Sequence, residues 1–472
     1  MDEARQPVAP TAYIAASGIG LYAALIALAP SPVLRLALTV PPLALLIVWW
    51  TIQTPSRWIG LFLFSALLLP PVNLPFGNSG PHPAILFAVV GVFVGLLRMR
   101  EWRAQLDRLS VAMGLFFAVL LSTVPFAAMY SGSAVALGSL ARVVLFAISI
   151  YVFFFVSNGP FRIEQAPVWK GLRLLLWAAA ASAAFACLDF YFQLPAPAGF
   201  GPQFIWLDSG VYRRAQGFFY EASTLGNFCV FFLVMILVAL FRRREVRTAT
   251  TFELLACGTL LSTALVLSYS RASLINLGVA FLILLILERP KLKFRALARG
   301  LIAAAAAGSA ALYFLFPAFA QTYWTRLVGS LEYFYTSPNG VLSGRLQSWE
   351  RLAGFLTERP WIAVFGIGYK TLPYSEYIGQ GTVADNMYLS LLFETGIIGL
   401  AAFALLNVRI LKSSLAAARS GSRQASFLGT WFFCFWIGEL IQMLSGDLLT
   451  YWRVLPVYFF VLALARREME AA

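Results

Sequence analysis

Residues 222–241 read A-S-T-L-G-N-F-C-V-F-F-L-V-M-I-L-V-A-L-F and run directly into F241-R-R-R-E-V-R247. A helix needs about 20 apolar residues to cross a hydrocarbon core about 30 Å thick. The run therefore predicts one membrane span with a basic anchor at one end. Similar runs recur in both directions, at about 11–30, 33–50, 57–75, 82–98, 109–129, 134–157, 170–191, 251–268, 272–288, 299–317, 386–408, 425–446 and 449–465. With 222–241 that makes fourteen candidates. The first two or the last two could each be a re-entrant pair, so the expected fold is an all-α polytopic membrane protein with twelve to fourteen spans.

Composition agrees. Of 472 residues, 60% are hydrophobic and only 12% charged, against about 25% charged in ordinary soluble domains. The charge needed to solvate a large globular surface is missing, which excludes a soluble enzyme, a disordered chain and a nucleic-acid binder despite a net charge of +14. Cys187, Cys229, Cys257 and Cys434 all lie inside apolar runs without paired spacing, so they read as small core residues. The opening M1-D-E-A-R-Q-P-V-A-P-T-A-Y13 has no basic n-region or cleavage site, and the first run is expected to stay as a span.

Basic residues orient the chain. With both termini cytoplasmic, most of the 35 Lys and Arg fall inside, in segments such as R98-M-R-E-W-R-A-Q-L-D-R108 and E288-R-P-K-L-K-F-R-A-L-A-R299. Arg142 lies within a span, with no partner assignable. Most of the external basic residues fall between 213 and 370, where the positive-inside rule disfavours them and function would explain them. The expected organisation is N-terminal spans over 1–191, an external segment over 192–221, central spans over 222–317, a long external loop over 318–385 and C-terminal spans over 386–472. A loop that long is too large for a connector. Within it Leu346, Trp349, Leu352, Ala353 and Leu356 share one helical face, predicting an amphipathic helix at the outer interface that stops at Pro360.

Three external clusters could carry chemistry. In Y212-R-R-A-Q-G-F-F-Y-E-A-S-T-L-G226, Arg213, Arg214 and Glu221 sit where backbone leaves water for lipid. They could equally form an interfacial anchor, with Glu221, Ser223 and Thr224 capping a helix. In L267-S-Y-S-R-A-S273, Arg271 with the hydroxyls of Ser268, Tyr269, Ser270 and Ser273 would make an anion-binding cup, or simply a capped turn. In A384-D-N-M-Y-L-S-L-L-F-E-T-G-I-I-G-L400, Asp385 reads first as a helix N-cap. Asn386 and Tyr388 add polar groups in the first turn. Glu394 lies more than two turns into a span and must pair or face water. A carboxylate at such a mouth suits general-base work on a sugar hydroxyl. No P-loop, dinucleotide fingerprint, HExxH or paired-cysteine site occurs, and the single His82 reads as a turn residue.

The order of these clusters, with S343-G-R-L-Q-S-W-E-R-L-A-G-F-L-T-E-R-P-W-I-A-V-F-G-I-G-Y-K-T-L372 between the second and third, resembles the bacterial O-antigen ligase and polysaccharide polymerase superfamily over about residues 213–400. The resemblance implies a type C glycosyltransferase of the inner membrane. Such enzymes act at the periplasmic face on sugars carried by undecaprenyl diphosphate, with no cofactor and no metal. It implies that Arg271 binds the donor diphosphate, that Arg213 or Arg214 shares its charge, and that Arg345 opens the loop helix of the family. Tyr269, Asn386 and Tyr388 would join them in substrate binding. Asp385 and Asn386 stand where ligases carry a His-Asn pair. That departure, with Glu221 in G-F-F-Y-E, favours a polymerase of repeat units, with Asp385 as base or acceptor-orienting group and Glu221 second. A chain-length-determining co-polymerase is a plausible partner. The alternatives are a ligase acting on lipid A core or another acceptor, and, from a different class, a lipid-linked oligosaccharide flippase.

Overall fold

The computed structural model describes residues 24–72, 82–103, 106–161, 167–195, 203–207, 210–219, 221–243, 248–289, 345–379 and 381–471, with a few single residues besides. The expected span at 299–317, most of the one at 11–30 and the first part of the long loop lie outside the described residues. The other twelve expected spans all occur as helices. They are α1 (Pro32–Gln53), α2 (Ser56–Leu68), α3 (Pro83–Leu97), α4 (Arg108–Ser122) continued by α5 (Val124–Ser131), α6 (Ser133–Ser157), α7 (Pro167–Phe192), α8 (Ala222–Phe241), α9 (Thr251–Leu267) and α10 (Arg271–Glu288). After the loop helices α11 (Arg345–Glu358) and α12 (Ile362–Phe365) come α13 (Met387–Ala418), α14 (Arg423–Gln442) and α15 (Leu455–Glu470). One antiparallel hairpin, β1 (Phe204–Leu207) with β2 (Gly210–Arg213), joins α7 to α8. Among the described residues six helices are long and apolar enough to cross a membrane.

The bundle is built around α8. Of its apolar window 83% is buried inside the protein, against 28% for α10. Helices α9, α10 and α14 pack on α8, while α15 joins α14 to α6. The chain makes this possible by making α14 less hydropathic than a lipid-facing span: Trp431, Trp436, Glu439 and Gln442 face protein. Trp431 donates to the carbonyl of Phe231 on α8 at 2.6 Å, and Trp436 to Asn407 Oδ1 on α13 at 2.9 Å. Deeper in, Asn227 of α8 and Asn276 of α10 donate to Glu439, and both also donate to Gln442 Oε1. Tyr458 of α15 donates to Asn227 Oδ1 at 2.5 Å. In hydrocarbon such interhelical polar bonds act as glue. Large apolar side chains such as Leu45, Trp49, Val89, Leu137, Leu174, Phe252 and Ile286 remain exposed on the outer helices, a surface that suits lipid contact.

Two helices differ from the expectation. Helix α13 extends to Ala418 and is broken at Gly396, whose φ of 68° and ψ of −173° leave the helical region. Across this break lies the segment after α12: Ile367 and Gly368 donate their N–H groups to the carbonyls of Phe393 and Glu394, both at 2.9 Å. Helix α11 ends ahead of Pro360, as the loop pattern predicts. Its apolar side, however, covers protein: Leu352 is buried with Ile362, Ile367, Leu372, Ala384 and Phe393. Ala353 is exposed, while Phe355 joins the packed side.

Candidate functional site

At the end of the bundle carrying the hairpin, the 268–271 turn and the loop helices, a cavity of about 730 Å³ opens among α6, α8, α10, α11, α13 and the 445–454 connection. Arg214, Arg271, Arg345, Glu221, Asp385 and Tyr269 all line it, so the structure gathers six of the residues singled out from four separate stretches of sequence.

Each wall has a local cause. The chain entering α8 is laid along the 267–268 turn, where Arg214 Nε donates to the Ser268 carbonyl at 2.7 Å and Ala215 N to Leu267 O at 3.1 Å. Glu221 occupies the N-cap position of α8 but makes no side-chain cap. Gln203 Oε1 accepts from Ala222 N at 3.2 Å instead, and Glu221 Oε2 accepts from Ser223 Oγ at 2.9 Å. Burial, with the nearby Asp447 and Asp385 carboxylates, holds the Glu221 carboxyl above its usual range. The serines of the second cluster do not form an open cup. Ser270 caps α10 through Ser273 N and bonds to Ser273 Oγ at 2.8 Å, and Ser268 Oγ donates to Leu265 O at 2.7 Å. These bonds close the turn, with Tyr269 in the left-handed region at φ 51°, and place the exposed Arg271 at the cavity.

The third cluster is rearranged. Asn386, not Asp385, caps α13: its Oδ1 accepts from Tyr388 N at 3.0 Å and Leu389 N at 3.2 Å. Asp385 precedes it with φ 45°, a conformation that Asp tolerates better than most residues. Relieved of capping, its half-exposed carboxylate lines the cavity 3.3 Å from Arg345 Nε, while Arg345 Nη2 donates to Ser445 O at 3.2 Å. Trp349 fixes this wall by donating to Ala384 O at 2.7 Å.

Three expected site residues stand elsewhere. Arg213 pairs with Asp189 at 2.5 Å and donates to Leu194 O at 2.6 Å, tying the hairpin to the end of α7. Tyr388 donates to Leu440 O at 2.7 Å, and with the buried cap Asn386 it docks the start of α13 on α14. None of the three lines the cavity. His82 does border it, but as the N-cap of α3: Nδ1 accepts from Ala84 N at 3.1 Å and Nε2 faces Leu69 O at 2.9 Å. Burial and then the Arg453 charge push its pKa down to about 3. It is a neutral cap.

A further group borders the same cavity, of which sequence reasoning singles out the charges of Arg142 and Glu394 but not the contacts they make. Arg142 Nη1 donates to Lys370 O at 3.0 Å and Nη2 to the Tyr374 hydroxyl at 3.1 Å, with the guanidinium over the Tyr374 ring. Lys370 pairs with Asp447. Glu394, 2% exposed, borders the same cavity and accepts from Leu372 N at 3.3 Å. The only hint in the sequence was the charge of Arg142 and Glu394 inside apolar runs. The walls thus combine several fixed guanidinium groups, which match phosphate oxygens, with carboxylates able to take a proton. Among the described residues no group of three or more His, Cys, Asp or Glu is placed to hold a metal.

No curated protein matches the chain. Residues 255–404 do match the family model of O-antigen ligase, a stretch that contains Arg271, Arg345, Asp385 and Glu394. Over residues 255–404, about a third of its length, the chain thus carries the domain of the O-antigen ligase/Wzy superfamily, set within a helical multi-pass membrane protein.

Proposed function

We propose that the enzyme polymerises oligosaccharide repeat units carried on undecaprenyl diphosphate, at the periplasmic face of the inner membrane, by inverting displacement. The acceptor hydroxyl oxygen attacks the anomeric carbon of the donor chain as the bond from that carbon to the diphosphate breaks. Arg271, Arg214 and Arg345 receive the charge of the leaving diphosphate. Asp385 takes the acceptor proton, with Glu221 as the second candidate. Fixed side chains hold this charge, so the reading calls for neither a nucleotide sugar nor a metal.

The observation that carries the proposal is Asp385 itself. It is freed from helix capping by Asn386, half exposed at the cavity and held beside Arg345. Asp at this position, where the ligases of the resemblance carry His, favours chain extension over transfer to lipid A core. The family description favours the ligase reading. A flippase would distribute its charged groups through both halves of a central path, whereas here they converge at one end.

The test is a reaction with purified protein in lipid, supplied only with undecaprenyl-diphosphate-linked repeat units. A ladder of lengthening products from wild type, absent with Arg271→Ala and with Asp385→Asn, is expected. Single transfer that requires added lipid A core would replace the polymerase by the ligase. A chain-length-determining co-polymerase, as part of the same proposal, would narrow the length distribution of that ladder.

A further inference from the structure

On the wall formed by α6, residues 370–374 and α13, one buried carboxyl valence is unfilled. Glu394 Oε1 accepts from Leu372 N at 3.3 Å, whereas Oε2, buried as well, has no hydrogen-bond partner among the described residues. Its polar neighbours are already engaged. Lys370 is paired with Asp447, Asp447 Oδ1 accepts from Leu449 N at 3.1 Å, and Arg142 donates to Lys370 O and to Tyr374. The position of Glu394 is also rigidly built, because the helix break next to it hands the carbonyls of Phe393 and Glu394 to the N–H groups of Ile367 and Gly368. A carboxyl oxygen buried without a donor is costly in such surroundings, and a hydroxyl entering the cavity beside it would supply one. A phosphate would be repelled there. A sugar hydroxyl supplies the donor without charge.

We propose that Glu394 accepts a hydrogen bond from a hydroxyl of the acceptor sugar, so that this wall seats the acceptor glycan opposite the arginines that take the donor diphosphate. The inference rests on the glycosyl-transfer reading and adds to it the place and the recognising group of the second substrate. Tyr374, 47% exposed at the same wall, offers an aromatic surface beside that ring. Glu394 in this role selects and positions the acceptor, and proton transfer stays with Asp385.

The experiment uses the full chain in lipid nanodiscs. The donor is the lipid-linked repeat unit. The acceptor is the same repeat unit freed from its lipid diphosphate by mild acid and tagged at its reducing end, so that it can only accept. In Glu394→Gln the amide oxygen still accepts from Leu372 N, but the second acceptor oxygen is gone. The expected result is an acceptor KM raised about 10- to 100-fold, the range for losing a hydrogen bond to a charged group, with donor KM unchanged and Tm not lowered. Binding of the tagged glycan, measured by fluorescence anisotropy without donor, should weaken by the same factor. If the Gln variant does not fold, Glu394→Asp, which keeps the charge and retracts it, is read in its place with the same expectation. Acceptor KM and anisotropy within twofold of wild type overturn the inference, as does a donor KM that moves in step. Tagged glycan that binds wild type and not the variant, with no extension by either, upholds this acceptor site and overturns the polymerase. Extension with an unaltered acceptor KM upholds the polymerase and overturns this site.

Discussion

Replacing Gly396 by alanine tests whether the break in α13 is what holds the cavity wall. The backbone there has φ 68° and ψ −173°, a region left essentially to glycine and costing another residue about 1–3 kcal/mol. An added Cβ would also collide with the carbonyl of Val364 and with Phe365 N. These are backbone atoms, tied down by the 366–368 segment, and cannot swing aside. Overpacking of this kind adds about 1–3 kcal/mol, so a loss of about 3 kcal/mol or more is expected. Gly354 supplies the control. It is exposed in the interior of α11, and a Cβ there meets nothing within 4 Å, so alanine should gain about 0.5–1 kcal/mol from helix propensity. The same chemical change should therefore move stability in opposite directions at the two sites. Thermal unfolding in one detergent, followed by tryptophan fluorescence, reads the sign directly. Gly396→Ala should also depress turnover, because Glu394 and Lys370 lose their common support. A Gly396→Ala protein that melts with wild type, or shifts with Gly354→Ala, refutes the account of the break.

Three further outcomes follow from the site. Asn386→Ala should lower stability by about 1 kcal/mol as a lost cap, while Asp385→Asn, which keeps the positive φ accessible, leaves Tm unchanged and abolishes polymer; an Asn386→Ala protein that melts with wild type would return the cap to Asp385. Lys370→Ala should destabilise by about 3–5 kcal/mol, because it strands the Asp447 carboxylate. The double variant Lys370→Met with Asp447→Asn should recover most of that loss in the same melt, and failure to recover would mean the pair is not the cause. Glu221, whose carboxyl is raised above its ordinary value of 4.5, keeps its proton longer in the folded state than in the unfolded one. Its contribution is then fully present below pH about 4.5 and is lost as pH rises through the folded value. Wild type should lose Tm across that interval, and Glu221→Gln should flatten the loss; parallel curves would assign the slope to other groups.

The helices were legible because a span is a local property: twenty apolar residues announce themselves without knowledge of their neighbours. Arg214, Arg271, Arg345, Glu221 and Asp385 were legible for a related reason, since charge at the edge of an apolar run is conspicuous. What escaped was whatever depends on a partner far along the chain. Arg142 meets a carbonyl 228 residues away, and Lys370 meets an aspartate 77 residues away. The choice between Asp385 and Asn386 as cap was decided by one positive φ, which two adjacent, equally competent side chains do not reveal. Arg213 and Arg214 show the same ambiguity in another form. Adjacent residues in an extended segment point to opposite sides, and only the pairing with Asp189 decides which arginine turns away from the cavity.

The seam between residues 366–368 and the broken helix α13 acts as a depth gauge. It registers Lys370, Leu372 and Glu394 against a helix anchored in the bundle, and so fixes how far below the rim one wall of the cavity sits. Arg345 and Asp385 are tethered separately, to Ser445 and to each other. Loss of the seam would therefore shift that wall alone and leave the Arg345–Asp385 side at its own level.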